Sequence, residues 1–309
     1  MTEIRVRRRT SGLPYSKGLM AQSIMATGLP PAQAYSLARL IEDRLPRTGN
    51  DELSVAELRT IAESVLLEQV GPAAVERYRR WQLLDQLDHP LVVLIGGTAG
   101  TGKSTVAASL AHRLGITRMT STDMIRHVLR TFFSADVMPD VHFSSFEAAA
   151  SVGLHDDDED LDLAGFRAQA DHVGAAVRAI IDRAVRERTP LVLEGVHLVP
   201  GILPARLLNA ALVVHLILVV SDEAVHRSHF EMRSEAQARG PSQRYIDALP
   251  QIRKIQDYLV ARARRANVPV LENTSLDESL TAVLSLVLEA AVDQVPAVGD
   301  TRPGVLAAR

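Results

Sequence analysis

The residues best suited to do chemistry form one short stretch, Gly96-Gly97-Thr98-Ala99-Gly100-Thr101-Gly102-Lys103-Ser104-Thr105, directly behind the apolar run Leu91–Ile95. Gly97, Gly102, Lys103 and Ser104 satisfy the spacing G-x-x-x-x-G-K-[S/T]. Glycines let backbone N–H groups approach phosphate oxygens, and a following helix turns its positive end toward them. A lysine then bridges the outer phosphates and a serine hydroxyl ligates Mg2+. A nucleotide is therefore expected over Gly97, Thr98, Ala99, Gly100, Thr101, Gly102, Lys103, Ser104 and Thr105, with ATP and Mg2+ as cofactors and Ser104 as the metal ligand. A glycine turn that only capped a helix would not need the lysine. Lysine is scarce here, with Lys17, Lys103 and Lys254 the only three among 34 basic residues. A compact point charge suits the loop better than a planar arginine fork.

The next question is where the terminal phosphate goes. No N-K-x-D guanine signature is present, and the apolar strand after Pro190 ends in the single acid Glu194 instead of the paired acids common in motor ATPases. Asp123 follows the second strand-like segment, beside the phosphate loop. There it can accept a proton from a substrate hydroxyl as the γ-phosphate leaves. That Asp123 only caps the helix it opens is the competing account. Arg126 and Arg130 lie one turn further along, and arginine forks suit carboxylates and phosphates. His142 and Ser145 are further acceptor-site candidates. Glu194 is expected to orient a metal-bound water, and His197 to face the cleft from the end of the same strand. The arginine-rich segment Ser221–Tyr245 reads as a lid that closes over the triphosphate, with Arg233 its catalytic cation. Ordinary solvent-facing arginines would look the same.

These residues need a scaffold that gathers them. From Pro90 onward, buried runs alternate with helical patterns: 91–95, 116–122, 191–199, 212–220 and 268–273 read as strands of a parallel sheet. A long helix is expected over about 165–188, and a last helix opens at the capping box Ser275-x-x-Glu278. Residues 1–89 read instead as a small, mostly helical domain with a strand or two. Its signals are Pro30-Pro31 before an amphipathic run, the capping box Ser54-x-x-Glu57, and a helix from Ala73 to about Leu87. The fold class is thus α/β, a P-loop domain over 90–295 with five parallel strands. Residues 296–309 read as a disordered tail.

Composition narrows the partners. The 309 residues carry a net charge of −3, so no global positive field attracts nucleic acid or an anionic membrane. There is no cysteine, which excludes disulfides and thiolate metal sites. The basic start lacks an apolar stretch behind it, and the run 211–220 is shorter than the roughly 20 residues a membrane helix needs. A cytoplasmic protein is expected, with a small phosphorylated or polyhydroxy substrate and no nucleic acid or membrane partner; a homo-oligomer is compatible with the sequence. The acidic run 155–162 has alternate aspartates, but leucine stands where a calcium loop needs its turn glycine, so a solvated loop is the simpler account. The pair His226 and His229 is followed by no carboxylate at helical spacing on that face and does not read as a metal site.

Seven stretches in order, PYSKGLMAQSI, AYSLARLIE, IGGTAGTGKST, STDMIRHVLR, LEGVHLVPG, HFEMR and IRKIQDYLV, span residues 14–260 and resemble the 2-phosphoglycerate kinases of archaea and their bacterial relatives. The resemblance implies ATP-dependent phosphorylation of 2-phosphoglycerate to 2,3-bisphosphoglycerate and a nucleotide-kinase sheet order with the loop strand central. It also implies an ATP-cone-like front domain, where Arg7 and Lys17 would form a second nucleotide site. A kinase for an inositol or other polyol, and a nucleotide-binding regulator without turnover, are the alternatives.

Overall fold

The computed structural model describes residues 5–8, 11–45, 52–84, 87, 89–152, 160–236 and 242–294, with side chains outside the description at 5–8, 11–14, 52, 233–236 and 242. The front part contains β1 (Arg5–Arg8), β2 (Ser11–Pro14), α1 (Lys17–Met25), α2 (Pro31–Arg44), β3 (Glu52–Ser54), α3 (Val55–Gln69) and α4 (Pro72–Leu84). Its strands form a three-stranded sheet in the order β2-β1-β3, so it holds more sheet than a strand or two. β1 runs antiparallel to β2 and parallel to β3. α2 starts where Pro30 and Pro31 fix the backbone, and it buries Ala34, Leu37, Ala38 and Ile41 on one face. α3 starts at the capping box, with both reciprocal bonds between Ser54 and Glu57 present.

The second part runs β4 (Leu91–Gly96), α5 (Lys103–Leu114), β5 (Met119–Ser121), α6 (Thr122–Phe132), α7 (Leu161–Arg186), β6 (Leu191–Gly195), α8 (Ala205–Leu208), β7 (Leu212–Val219), α9 (Glu223–Ala236), α10 (Ser242–Asp247), α11 (Leu249–Arg265), β8 (Val270–Glu272) and α12 (Leu276–Gln294). The five strands pair in the order β5-β6-β4-β7-β8, all parallel. The loop strand β4 is central, as the resemblance implied. One face of the sheet packs on α5 and α12 through Val106, Leu110, Val283 and Val287. The other packs on α6 and α7 through Ile125, Val173, Val177 and Ile181.

Three of the expected boundaries shift for a local reason. The strand expected over 191–199 ends at Gly195, whose φ of +146° is closed to other residues and whose absent Cβ makes room for Thr122. The segment 116–122 keeps strand pairing only over 119–121, because β5 is an edge with β6 as its sole neighbour. α7 starts at Leu161, four residues earlier than expected, because Asp160 caps it. Only half of the second capping box forms: the Ser275 hydroxyl accepts from the Glu278 N–H, while the Glu278 carboxylate accepts from Thr274. Front and rear parts meet away from the loop, where Gln22 donates to the His112 carbonyl and Arg113 to the Gly28 carbonyl. Among the described residues, no helix is long and apolar enough to cross a membrane.

Candidate active site

The carboxyl ends of the parallel strands converge on a cleft of about 740 Å3, the edge where ligands collect in open α/β sheets. β4 delivers the phosphate loop to its floor. Gly97, Gly100 and Gly102 adopt φ of +149°, +81° and +78°, backbone conformations that side chains disfavour. α5 begins at Lys103, so its first-turn N–H groups lack helical partners and point into the cleft. Ala99, Gly100, Gly102, Lys103, Ser104 and Thr105 line it. Thr98 and Thr101 are buried beneath, with the Thr101 hydroxyl donating to the Thr98 carbonyl at 3.0 Å. The Lys103 ammonium lies 3.3 Å from the Thr98 carbonyl and 4.0 Å from Glu194 Oε2.

Asp123 sits in the first turn of α6, but the cap of that helix is Ser121, whose hydroxyl accepts from the Met124 N–H. Capping therefore does not account for Asp123. Its carboxylate is 64% exposed at the mouth of the cleft, where water reaches it although protein surrounds its other sides. Partial burial is the largest influence on its pKa and pushes it up; the charges of protonated His197, Lys103 and Arg126 together overcome that and hold it below the ordinary aspartate value. At neutral pH it is an ionised, water-accessible base.

Arg126, Arg130, His142, Ser145 and Glu194 all line the same cleft. Arg126 is nearly buried, with Nη1 donating to the carbonyls of Val141 and Phe143 at 3.0 and 2.8 Å and Nε reaching Asp123 at 3.4 Å. It straps the short 3-10 turn 139–142 to α6, so only part of its fork faces the cleft. The His142 ring donates to the Phe133 carbonyl at 2.9 Å. Glu194 Oε2 is buried without a hydrogen-bond partner, so its remaining lone pairs need a cation or a water.

His197 is the clear correction. It does not line the cleft; it is fully buried behind it, with both ring nitrogens engaged. Gln169 Nε2 donates to the carbonyls of Asp140 and Phe143, so its Oε1 must be the atom facing His197. His197 Nε2 therefore donates to Oε1 at 2.8 Å, and Nδ1 accepts from the Thr122 hydroxyl at 2.8 Å. Burial lowers its pKa to about 4, so the ring is neutral. It ties α6, the helix that carries Asp123, to α7. The expected lid is only partly in view: Arg233 lies on α9, its side chain outside the described residues, as are residues 237–241. Arg7 stands on β1, likewise without a described side chain, and Lys17 pairs with Glu42 at 2.8 Å. No described residue of the front part lines the cleft. Of the acidic run, 155–159 falls outside the described residues, while Asp160 and Asp162 bind Lys254.

Sequence reasoning placed Arg244 among the lid arginines without singling it out; it lines the cleft from α10 while paired with Glu147 and with Ser144 at 3.0 Å. That reasoning missed what His226 and His229 do. Their rings donate to the phosphate-loop carbonyls of Ala99 and Gly100 at 2.7 and 2.8 Å. The i, i+3 spacing was visible and marked a shared target, but a backbone target leaves no trace in side-chain types. Asn273, after β8, was missed for the same reason; it donates to the Thr101 carbonyl at 2.9 Å.

A phosphate loop on the central strand of a parallel sheet, with an ionised aspartate at the tip of the next strand but one and cations around both, defines a P-loop kinase that phosphorylates a hydroxyl. No family model matches the chain. It is 34% identical over 285 residues to the 2-phosphoglycerate kinase of Methanopyrus kandleri, covering 92% of this chain and 86% of that one. It is 38% identical over 273 residues to the 2-phosphoglycerate kinase of Methanothermobacter thermautotrophicus, covering 88% and 89%. The chain belongs to the 2-phosphoglycerate kinase family. Among solved structures it is similar to a gluconokinase from Sinorhizobium meliloti, at 18% identity and a TM-score of 0.39, over 66% of this chain and 95% of that one.

Proposed function

We propose that this kinase transfers the γ-phosphoryl group of ATP, with Mg2+, to the free hydroxyl of 2-phosphoglycerate, giving 2,3-bisphosphoglycerate and ADP. The observation that carries the acceptor chemistry is the Asp123 carboxylate, ionised and water-accessible at the mouth of the cleft, between the phosphate loop and the arginine wall. Asp123 takes the hydroxyl proton as the acceptor oxygen attacks phosphorus and the bond to the ADP oxygen breaks. Lys103 and the first-turn amides of α5 stabilise charge on the transferring group. Arg126, Arg130 and Arg244 face the two anionic groups of the acceptor, for which arginine forks are the natural complement. His142 and Ser145 border the same side, and Arg233 of α9 is the lid cation this reading assigns to the transfer.

The donor set suits a hard cation carried by phosphates. The Ser104 hydroxyl would hold it, and Glu194 Oε2, which lacks a hydrogen-bond partner, would orient one of its waters. No cluster of three or more metal-binding side chains forms a cage among the described residues. Mg2+ takes only one or two protein ligands when phosphates and waters complete its shell. Once bound, the ion would neutralise charge on the β- and γ-phosphates. We place this reaction in the cytoplasm, where ATP is available.

The test is acceptor-dependent ADP release. Pure protein with ATP and Mg2+ should release ADP with 2-phosphoglycerate and far less with 3-phosphoglycerate, glycerate or inositol phosphates. Faster release with an inositol or polyol would replace the acceptor. Nucleotide binding without release for any acceptor would make the protein a regulator.

A further inference from the structure

We propose that His226, His229 and Asn273 are positioning residues that aim the amides of the phosphate loop, and that through them the lid helix sets nucleotide affinity. This rests on the loop being the nucleotide site and goes beyond any role in the transfer itself. A peptide unit is planar, and in the trans form its C=O and N–H point in opposite directions. The described chain has no cis peptide bond. A donor that captures the Ala99 carbonyl therefore fixes the direction of the Gly100 N–H. Capturing the Gly100 carbonyl fixes the Thr101 N–H, and capturing the Thr101 carbonyl fixes the Gly102 N–H. Those three carbonyls are held by His226, His229 and Asn273, at 2.7, 2.8 and 2.9 Å. The donors come from α9, which follows β4's neighbour β7, and from the end of β8, the strand on the far side of β7.

Three further observations show that these contacts shape the loop. Because a carbonyl only accepts, His226 must carry its proton on Nε2, which leaves Nδ1 bare, and that nitrogen is buried with no partner. A buried polar atom left unsatisfied is rare and costly, so the opposite nitrogen must do something that offsets it. Second, Gly100 occupies a position where the loop pattern accepts any residue. A Cβ there would lie 2.6 Å from Phe230 Cζ and 2.8 Å from His226 Nε2, so α9 itself demands the glycine. Third, the Asn273 amide is set in one orientation, its Oδ1 accepting from the Ser279 hydroxyl at 2.7 Å. The clamp also reaches the acceptor wall. The His226 ring stacks on Phe230 at 5.4 Å, Phe230 stacks on Tyr245 at 5.3 Å, and Tyr245 meets Phe146 at 5.4 Å.

Nucleotide binding tests this without any acceptor. Calorimetry with ADP and Mg2+ should be run on wild type, His229→Leu, His229→Asn, His226→Leu and His226→Gln. The Asn and Gln amides place an N–H close to where Nδ1 and Nε2 stood. The leucine variants should bind nucleotide about tenfold more weakly, the loss of roughly one aimed hydrogen bond. The amide variants should recover most of that affinity, while melting temperatures do not separate leucine from amide. A purely structural role would lower the melting temperature and leave the affinities alike. Leucine variants that bind like wild type, or amide variants as weak as leucine, overturn the clamp. Wild-type protein that binds no nucleotide overturns the phosphate-loop assignment, and the clamp with it. If His226→Leu does not fold, the half-exposed His229 carries the same test.

Discussion

The two walls of the cleft are held by different kinds of bond. On the nucleotide wall, buried or half-buried donors grip backbone carbonyls one by one, and the loop has little freedom left. On the acceptor wall, the exposed cation Arg244 is held by the half-exposed carboxylate of Glu147 and hydroxyl of Ser144, with side-chain exposures of 47% for Arg244 and 34% for Glu147. Exposed ion pairs are worth only about 0–1 kcal/mol, so an incoming anion can take Arg244 from Glu147 at small cost. The triphosphate is the same for every turnover and rewards a rigid mould. In the proposed reaction the acceptor must be admitted, gripped and released, and a wall held by exchangeable pairs suits that.

The largest effect expected is on the step that joins the two walls. Asp123→Asn should lower kcat by ~10²–10⁴, the usual worth of a positioned general base, with KM for ATP nearly unchanged. Full activity in that variant would show that the acceptor wall has another base. Lys103→Ala should lower kcat by ~10²–10³, as for removal of one preorganised charge-stabilising group, with the same thermal unfolding as wild type. A matching loss of stability would mean that Lys103 holds the loop instead of the phosphates.

The scaffold behind both walls makes a third prediction. His197 is buried and His215 half-buried, and desolvation lowers the pKa of each from 6.5 to about 4, so both rings are neutral at pH 7. Between those values the unfolded chain binds more protons than the fold. Their contribution is therefore complete above about pH 6.5 and lost as pH falls toward 4, on the order of 3 kcal/mol for each. Chemical denaturation at neutral pH and near pH 4.5 measures it, and a stability flat across that window would mean that these rings find water or a counter-charge. The smallest effect sharpens the contrast directly. Arg244→Ala should raise KM for the acceptor by about tenfold, within the range for a charged hydrogen bond, and leave KM for ATP alone. A change in both constants would erase the distinction between the walls.

Much of this was legible in the sequence. The glycine spacing, the lysine and the apolar run before them specify a phosphate loop on a buried strand, and alternating runs and helices specify the parallel sheet. Asp123 was legible because it follows a strand, and strand ends meet at one edge. His197 misled because a histidine past a strand end can face either the cleft or the helix behind it. Gly195 turns the chain there, and Gln169, 28 residues away in sequence, supplies the partner. Arg126 was correctly placed near the site, but the carbonyls of Val141 and Phe143 that it straps leave no mark in residue types. Arg244 lies 97 residues from Glu147, and no local pattern announces a pair of that span.

α12 has a consequence for how the chain comes to be folded at all. Its Leu280, Val283, Leu284, Val287 and Ala291 complete the same apolar cluster as β4 and α5, and it also packs against α4 of the front part. During synthesis the central strand is made early, yet the face it shares with α5 is completed only by α12, which starts at Leu276. Contacts of such wide sequence separation slow folding, because long loops must close before any burial rewards them. The exposed strands of a half-made sheet are also prone to aggregate. The front part can collapse on its own core while the chain is still growing. The kinase part must wait for its final helix, so losing α12 should yield insoluble protein and not merely a weaker enzyme.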